Sequence, residues 1–202
     1  MNPSVTSGYD YCSEMRVRIV PMSEPSPKND PTWTSRRLLL WTTEYFKKKG
    51  IDNPRLSAEM LLAHVFSTQR IKLYMDPHRP TSELERSTFR QLVERAAEHE
   101  PVDYLIGKCP FFSMTLAVNR NVMIPRPSTE TVVEHIIQHA RRTPGFHAPL
   151  IADIGTGSGA IAIALAKHLP QCRVIATDKC KAALSLARQN TDTYNVTDVI
   201  EF

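Results

Sequence analysis

The chain has 202 residues, 42% apolar and 23% charged, with a formal net charge of +4, the composition of an ordinary globular protein with enough material for a large core. No run is long and apolar enough to cross a bilayer, and the start lacks the basic and apolar pattern of a secretion signal, so membrane-spanning and secreted classes are excluded and a cytoplasmic location is expected. The mild positive charge permits a nucleic-acid partner without requiring one, and direct nucleic-acid binding is not expected. The four cysteines, Cys12, Cys109, Cys172 and Cys180, show no Cys-x-x-Cys spacing and read as free thiols.

Residues 1–31 hold several of the fifteen prolines and no apolar period, which predicts a disordered leader, and Met22 offers a second possible start. From 32 to 100 the period is helical. The run TWTSRRLLLWTTEYFKKKG forms one helix stopped by Gly50, with Lys47, Lys48 and Lys49 offsetting the dipole at its end. A second helix starts at Asn53 as cap and Pro54, with Leu56, Met60, Leu61, His64 and Val65 as its apolar stripe and His64 as a packed core residue. A third opens on a Ser82-x-x-Glu85 capping box and turns Leu84, Phe89, Leu92, Val93 and Ala96 inward.

Residues 101–127 change pattern. PFFSMTLAVNRNVMIP sets aromatic and β-branched residues on either side of Asn119-Arg120-Asn121, predicting a β-hairpin linker that turns there. Residues 128–202 then open with an amphipathic helix capped by Ser128, with Val132, Val133, Ile136 and Ile137 on its buried side. His135 and His139 lie one turn apart on that helix, but without the His-Glu-x-x-His order or a third ligand they predict no metal site.

The most informative stretch is IADIGTGSGAIAIALA at 151–166: a buried strand, alternating glycines, then an alanine-rich helix. Bare α-carbons at Gly155, Gly157 and Gly159 allow a sharp turn and let a ligand approach the amides at a helix start. The next strand ends at Asp178, where a carboxylate is placed to accept from both hydroxyls of a ribose. The pattern is strand, loop, helix, strand, helix and the beginning of a third strand, an α/β arrangement with parallel strands and a site for an adenosine-containing cofactor. With Ala160 last, the loop also satisfies the dinucleotide fingerprint of NAD proteins. Asp153 ahead of the first glycine, and the position of the loop far along the chain, weigh against NAD.

DIGTGSGAIAIALAKHLP together with VIATDKCKAALSLARQN resembles the cofactor motifs of class I S-adenosylmethionine methyltransferases. The upstream segment EPVDYLIGKCPFFSMTLAVNRNVMIPRPSTETVVEHI resembles the hairpin and IPRP-x-TE region of the HemK/PrmC group, the peptide chain release factor glutamine methyltransferases. The resemblance runs over residues 32–202. It implies a helical substrate-docking domain at 32–100, a hairpin linker at 101–127 and, at 128–202, the first half of a Rossmann-like S-adenosylmethionine-binding sheet. It further implies that Gly155, Thr156, Gly157, Ser158 and Gly159 contact the methionine and ribose part of the cofactor. In the same way Asp178 is placed on the ribose hydroxyls, Asp153 orders the loop or its ligand, and Arg126 and Glu130 lie near the pocket. The implied partner is a release factor, met by a monomer.

The family's catalytic Asn-Pro-Pro-Tyr loop is missing from residues 1–202, whose Asn-Pro pairs are Asn2-Pro3 and Asn53-Pro54, so no catalytic residue is assigned. The expectation is a truncated chain without methyl transfer activity of its own, in which the strand Leu150 to Ile154 becomes an exposed edge. Two other readings stand beside it: an Asn-Pro-Pro-Tyr-type DNA adenine methyltransferase, disfavoured by the mixed charge of 32–100, and a noncatalytic fragment that binds a release factor.

Overall fold

A computed structural model describes residues 32–146, 148–169 and 171–202; the expectations for the leader at 1–31, including Cys12, lie outside them. Trp33–Phe202 is one compact unit. It begins with α1 (Ser35–Lys48), whose first turn is capped by Thr34 Oγ1 accepting from the Arg37 amide at 3.4 Å. Asn53 takes a left-handed φ of 49° before α2 (Pro54–Val65), where its side chain makes no cap bond and Pro54 fixes the first turn. After the single-turn α3 (Lys72–Met75), the capping box forms with both reciprocal bonds, Glu85 N–H to Ser82 Oγ at 3.2 Å and Ser82 N–H to Glu85 Oε2 at 2.8 Å, and starts α4 (Glu83–Ala97). The short α5 (Val102–Ile106) closes this part.

Three inward assignments are corrected here, the first being Leu56, 38% exposed in the first turn of α2. Leu84 is 77% exposed, because α4 turns the Phe89, Leu92, Val93 and Ala96 side to the core and the first turn overhangs it. His64 is exposed too, since α2 buries Ala58, Leu61 and Leu62 against α1, a face turned away from His64. The same face carries Glu59, 7% exposed and held by Arg55 at 3.0 Å, by Arg70 at 3.4 Å and by the Tyr74 hydroxyl. A carboxylate that far from water persists because three donors surround it.

The hairpin pairs β1 (Lys108–Phe111) with β2 (Met114–Ala117), and its turn is Phe112-Ser113 in place of the expected Asn119-Arg120-Asn121. Both turn residues have positive φ, 46° and 61°, which non-glycine residues adopt only with support from elsewhere. The support is tertiary: the Phe112 amide donates to Glu130 Oε1 at 2.8 Å, and the Phe112 ring meets the His168 ring edge-on at 5.1 Å. Asn119–Asn121 instead makes the exit bend, with the Asn121 amide on Asn119 Oδ1 at 2.9 Å. Phe111, Met114 and Leu116 enter the same core cluster as the sheet and its helices, so the hairpin is part of the fold's interior.

α6 (Pro127–Arg142) starts one residue before Ser128, because Pro127 is already suited to the first helical position and Arg126 becomes the cap. Val133 and Ile137 are buried, whereas Val132 is half exposed. Then come β3 (Leu150–Ile154), α7 (Ala160–His168), β4 (Arg173–Thr177), α8 (Lys181–Thr193) and β5 (Ile200–Glu201). The sheet is parallel, in the order β3-β4-β5, with Leu150 opposite Arg173 and Ile154 opposite Thr177. Pro149 C=O and Gly155 N–H bond toward β4, so by the two-residue alternation of a strand the polar groups of Leu150, Ala152 and Ile154 face the other way. Among the described residues nothing pairs with that edge, where Leu150 and Ile154 are 69% and 85% exposed. No helix among them is long and apolar enough to cross a membrane.

Glu100 ties α4 to the hairpin exit, bonding Arg95 through both oxygens at 2.7 and 2.8 Å and Arg120 at 2.8 Å. Bonds from Arg95 above all, then Arg120, pull its carboxyl from the ordinary 4.5 down to about 2. A depressed folded-state value means that the stabilisation is complete above 4.5 and is lost as pH falls toward 2. Glu100→Gln is therefore expected to lower the melting temperature at neutral pH and to flatten the acid limb of a Tm-against-pH curve across that window. Equal slopes in the two proteins would refute this.

Candidate functional site

At the end of β3 the chain turns through Gly155, Gly157 and Gly159, with φ of 82°, 55° and 79°. The amides of Gly155 and Thr156 both donate to Thr177 C=O, at 2.8 and 2.9 Å, and so join the loop to the end of β4. Gly157 N–H donates to Asp178 Oδ2 at 3.0 Å and Gly159 N–H to Thr156 C=O at 2.9 Å. Under the loop the Thr156 hydroxyl donates to Asp153 Oδ2 at 2.7 Å, both residues being buried. Four of the loop's amides are thus bonded within the protein.

The glycines divide into two kinds. A Cβ on Gly155 meets nothing within 4 Å, and one on Gly157 touches only Val122 Cβ and Gly155 O at 4.0 Å, so that side of the loop is open. A Cβ on Gly159 comes within 3.1 Å of Ile163 Cδ1 and 3.3 Å of Ala187 Cβ. The first two leave room for a ligand; the third lets α8 approach the start of α7.

The two acids differ in setting. Burial pushes the Asp153 carboxyl up, against the bonds from Thr156 and the Ala162 amide, and the nearby Asp178 charge pushes the same way as burial. Asp178, half buried, is held below the usual carboxylate range by the Cys180 amide at 2.8 Å on Oδ1 and by Gly157 on Oδ2. Each of its oxygens accepts one amide and keeps a further lone pair for hydroxyl donors. In this way Asp178 meets the start of α8 with its side chain while Cys180 is the cap residue.

Asp153, Gly155, Thr156, Gly157, Ser158, Gly159 and Asp178 therefore form one cluster. Glu130 sits at the hairpin turn, its carboxylate bonded to Phe112, and Arg126 is an exposed cap residue whose charge acts on Asp103 and Cys109. Sequence reasoning missed Asn190, 2% exposed, which donates to Ser158 C=O at 2.8 Å and Ala117 C=O at 3.0 Å and accepts from Ala117 N–H at 2.8 Å. An asparagine inside a helix, where it is disfavoured, was the available signal. His139 packs against the Phe146 ring.

Family models extend this picture. One for the PrmC N-terminal domain matches residues 37–107, and one for a methyltransferase domain matches residues 151–202. The chain thus resembles, in order, a PrmC N-terminal domain and a methyltransferase domain. It is 46% identical over 178 residues to the release factor glutamine methyltransferase of Rhodopirellula baltica, covering 88% of this chain and 60% of that protein. Its identity to the protein of the same name from Chlorobaculum tepidum is 42% over 175 residues, 86% of this chain and 60% of the other. The human MTRF1L release factor glutamine methyltransferase is 35% identical over 188 residues, 88% of this chain and 54% of the human one. The chain spans about 60% of the length of the first two of these relatives. A methyltransferase domain works with a methyl donor.

The division among the glycines gives a direct test. Gly159→Ala adds a methyl between two helices at a left-handed φ and is expected to cost about 2–3 kcal/mol of stability. Gly155→Ala meets only the φ penalty, about 1 kcal/mol. Chemical denaturation of the two variants reads the difference, and equal losses would refute the packing role of Gly159.

Proposed function

We propose that the cluster at the ends of β3 and β4 binds S-adenosylmethionine, and that the activity it serves is methylation of the side-chain amide nitrogen of the glutamine in the Gly-Gly-Gln motif of peptide chain release factors. One observation carries the cofactor reading: an ionised, half-buried carboxylate, Asp178, stands beside the open faces of Gly155 and Gly157. Asp178 accepts from the ribose hydroxyls and fixes the nucleoside, Gly155 and Gly157 admit it to the backbone, and Asp153 with Thr156 holds the loop in shape. The donor carries a positive sulfonium centre. The two acids and the loop's carbonyl oxygens favour that charge, whereas a dinucleotide's pyrophosphate needs the free amides that Gly155, Thr156, Gly157 and Gly159 have already committed.

When bound, S-adenosylmethionine supplies an activated methyl group for in-line displacement by the acceptor nitrogen. The named relatives and the match of the PrmC N-terminal domain to residues 37–107 support a release factor as the protein acceptor, met by the helices of that region as a docking domain; we place this activity in a cytoplasmic monomer. Residues 1–202 contain no Asn-Pro-Pro-Tyr, and Asn53-Pro54 opens α2.

Titration calorimetry with S-adenosylmethionine and with NAD is the test. Binding of the first and not the second is expected, with a loss of about 10- to 100-fold in affinity for Asp178→Ala, the scale of lost hydrogen bonds to a charged group. Binding of NAD overturns the cofactor reading.

A further inference from the structure

We infer that Asn190 is a positioning residue for the cofactor loop, and that through its carboxamide the hairpin and the loop act as one unit. The inference rests on the cofactor reading above for its ligand, but its geometry stands apart from it. β2 is an edge strand whose outer polar groups lie against α8. Two side chains one turn apart, Asn190 within α8 and Tyr194 at its C-terminal cap, take the place of a third strand there. Asn190 makes both bonds to the Ala117 backbone, and the Tyr194 hydroxyl accepts from Thr115 N–H at 2.7 Å and donates to Thr115 C=O at 2.8 Å. Thr115 and Ala117 are two apart on β2, so their outward groups share one side, and positions 190 and 194 share one face of α8.

The two side chains differ in what else they hold. The Tyr194 hydroxyl bonds the hairpin backbone at Thr115, while its ring packs against the core cluster with Lys167 over it at 4.5 Å. Asn190 uses its second amide hydrogen on Ser158 C=O, in the peptide between Gly157 and Gly159. The oxygen and both hydrogens of the carboxamide are therefore engaged at 2.8–3.0 Å, in a residue 2% exposed. A rotation of the loop at Ser158 breaks a bond to the same group that sets the hairpin, and a shift of the hairpin breaks one to the group that sets the loop. The segment after β2 strengthens the link, since Val122 faces Gly157 and packs with Ala183 and Leu186 of α8.

Two variants and one ligand separate this from ordinary packing. Asn190→Leu keeps the branched shape and removes all three bonds; Tyr194→Phe removes only the hairpin bonds. Without ligand, hydrogen exchange is expected to accelerate about tenfold or more at the hairpin and at the 157–161 amides in Asn190→Leu, and at the hairpin alone in Tyr194→Phe, the scale of an orphaned buried polar group. S-adenosylhomocysteine affinity is expected to fall at least about tenfold in Asn190→Leu and to stay within about twofold in Tyr194→Phe. A folded Asn190→Leu protein with unchanged loop exchange, or with unchanged affinity, overturns the inference. If that variant does not fold, the wild type decides: ligand that slows exchange at Ala117 together with the loop supports the coupling, and protection confined to the loop overturns it. Absence of S-adenosylhomocysteine binding to the wild type overturns the cofactor reading instead, and the ligand-free exchange comparison then judges Asn190 by itself.

Discussion

The approach of α8 to the beginning of α7, made possible by the bare α-carbon of Gly159 against Ala187, is the constraint on which the rest of the site depends. With those two residues in contact, the next turn of α8 brings Asn190 to Ser158, and the preceding turns bring Ala183 and Leu186 to the segment after the hairpin. α7 itself is buried along Ala160, Ala162, Ile163, Ala164, Leu165 and Ala166, and its small residues let sheet and hairpin close around it. Side-chain volume is withheld where elements meet and kept where the core needs filling, as at Phe111, Leu116 and Ile163.

The acidic residues show how one fold keeps carboxylates in several states. Asp153 is buried beneath the loop, where loss of water opposes its charge and a single hydroxyl and a helix amide offset part of that loss. Asp178 stands at the mouth, where two amides favour the charged form and leave it able to accept more bonds. Glu59, in the helical region, is buried yet charged because two guanidinium groups and a phenol surround it; burial alone raises its pKa, and the partners together lower it below the ordinary value. What distinguishes a site carboxylate from a structural one here is unused accepting capacity facing open space, not the size of the shift.

Local signals in the sequence were read well where local chemistry decides the structure. The Ser82–Glu85 box, the stop at Gly50 and the strand-glycine-helix run each depend on residues a few positions apart, and all appear where expected. The misread features depend on distant partners. The hairpin turns at Phe112-Ser113, two residues with no preference for the positive φ they adopt, because Glu130 and His168 support Phe112 from other elements. Asn190 finds its partners 32 and 73 residues away, a distance that no helical or strand period encodes. Leu84 and His64 follow the apolar rhythm of their helices, yet the core ends before it reaches them. Even for the glycine loop, sequence predicted the turn between strand and helix but not how its amides are committed, because that depends on where the end of β4 lies.

The two free sides of the β-structure are not equivalent. Along β2, α8 supplies side chains that imitate a neighbouring backbone, and that side is sealed. Along β3 the outward groups of Leu150, Ala152 and Ile154 are presented in regular order. A parallel strand laid there would run beside β3 in the direction of Gly155 and the glycine cluster. Extending the sheet and enlarging the surroundings of the glycine loop are, in this geometry, a single act.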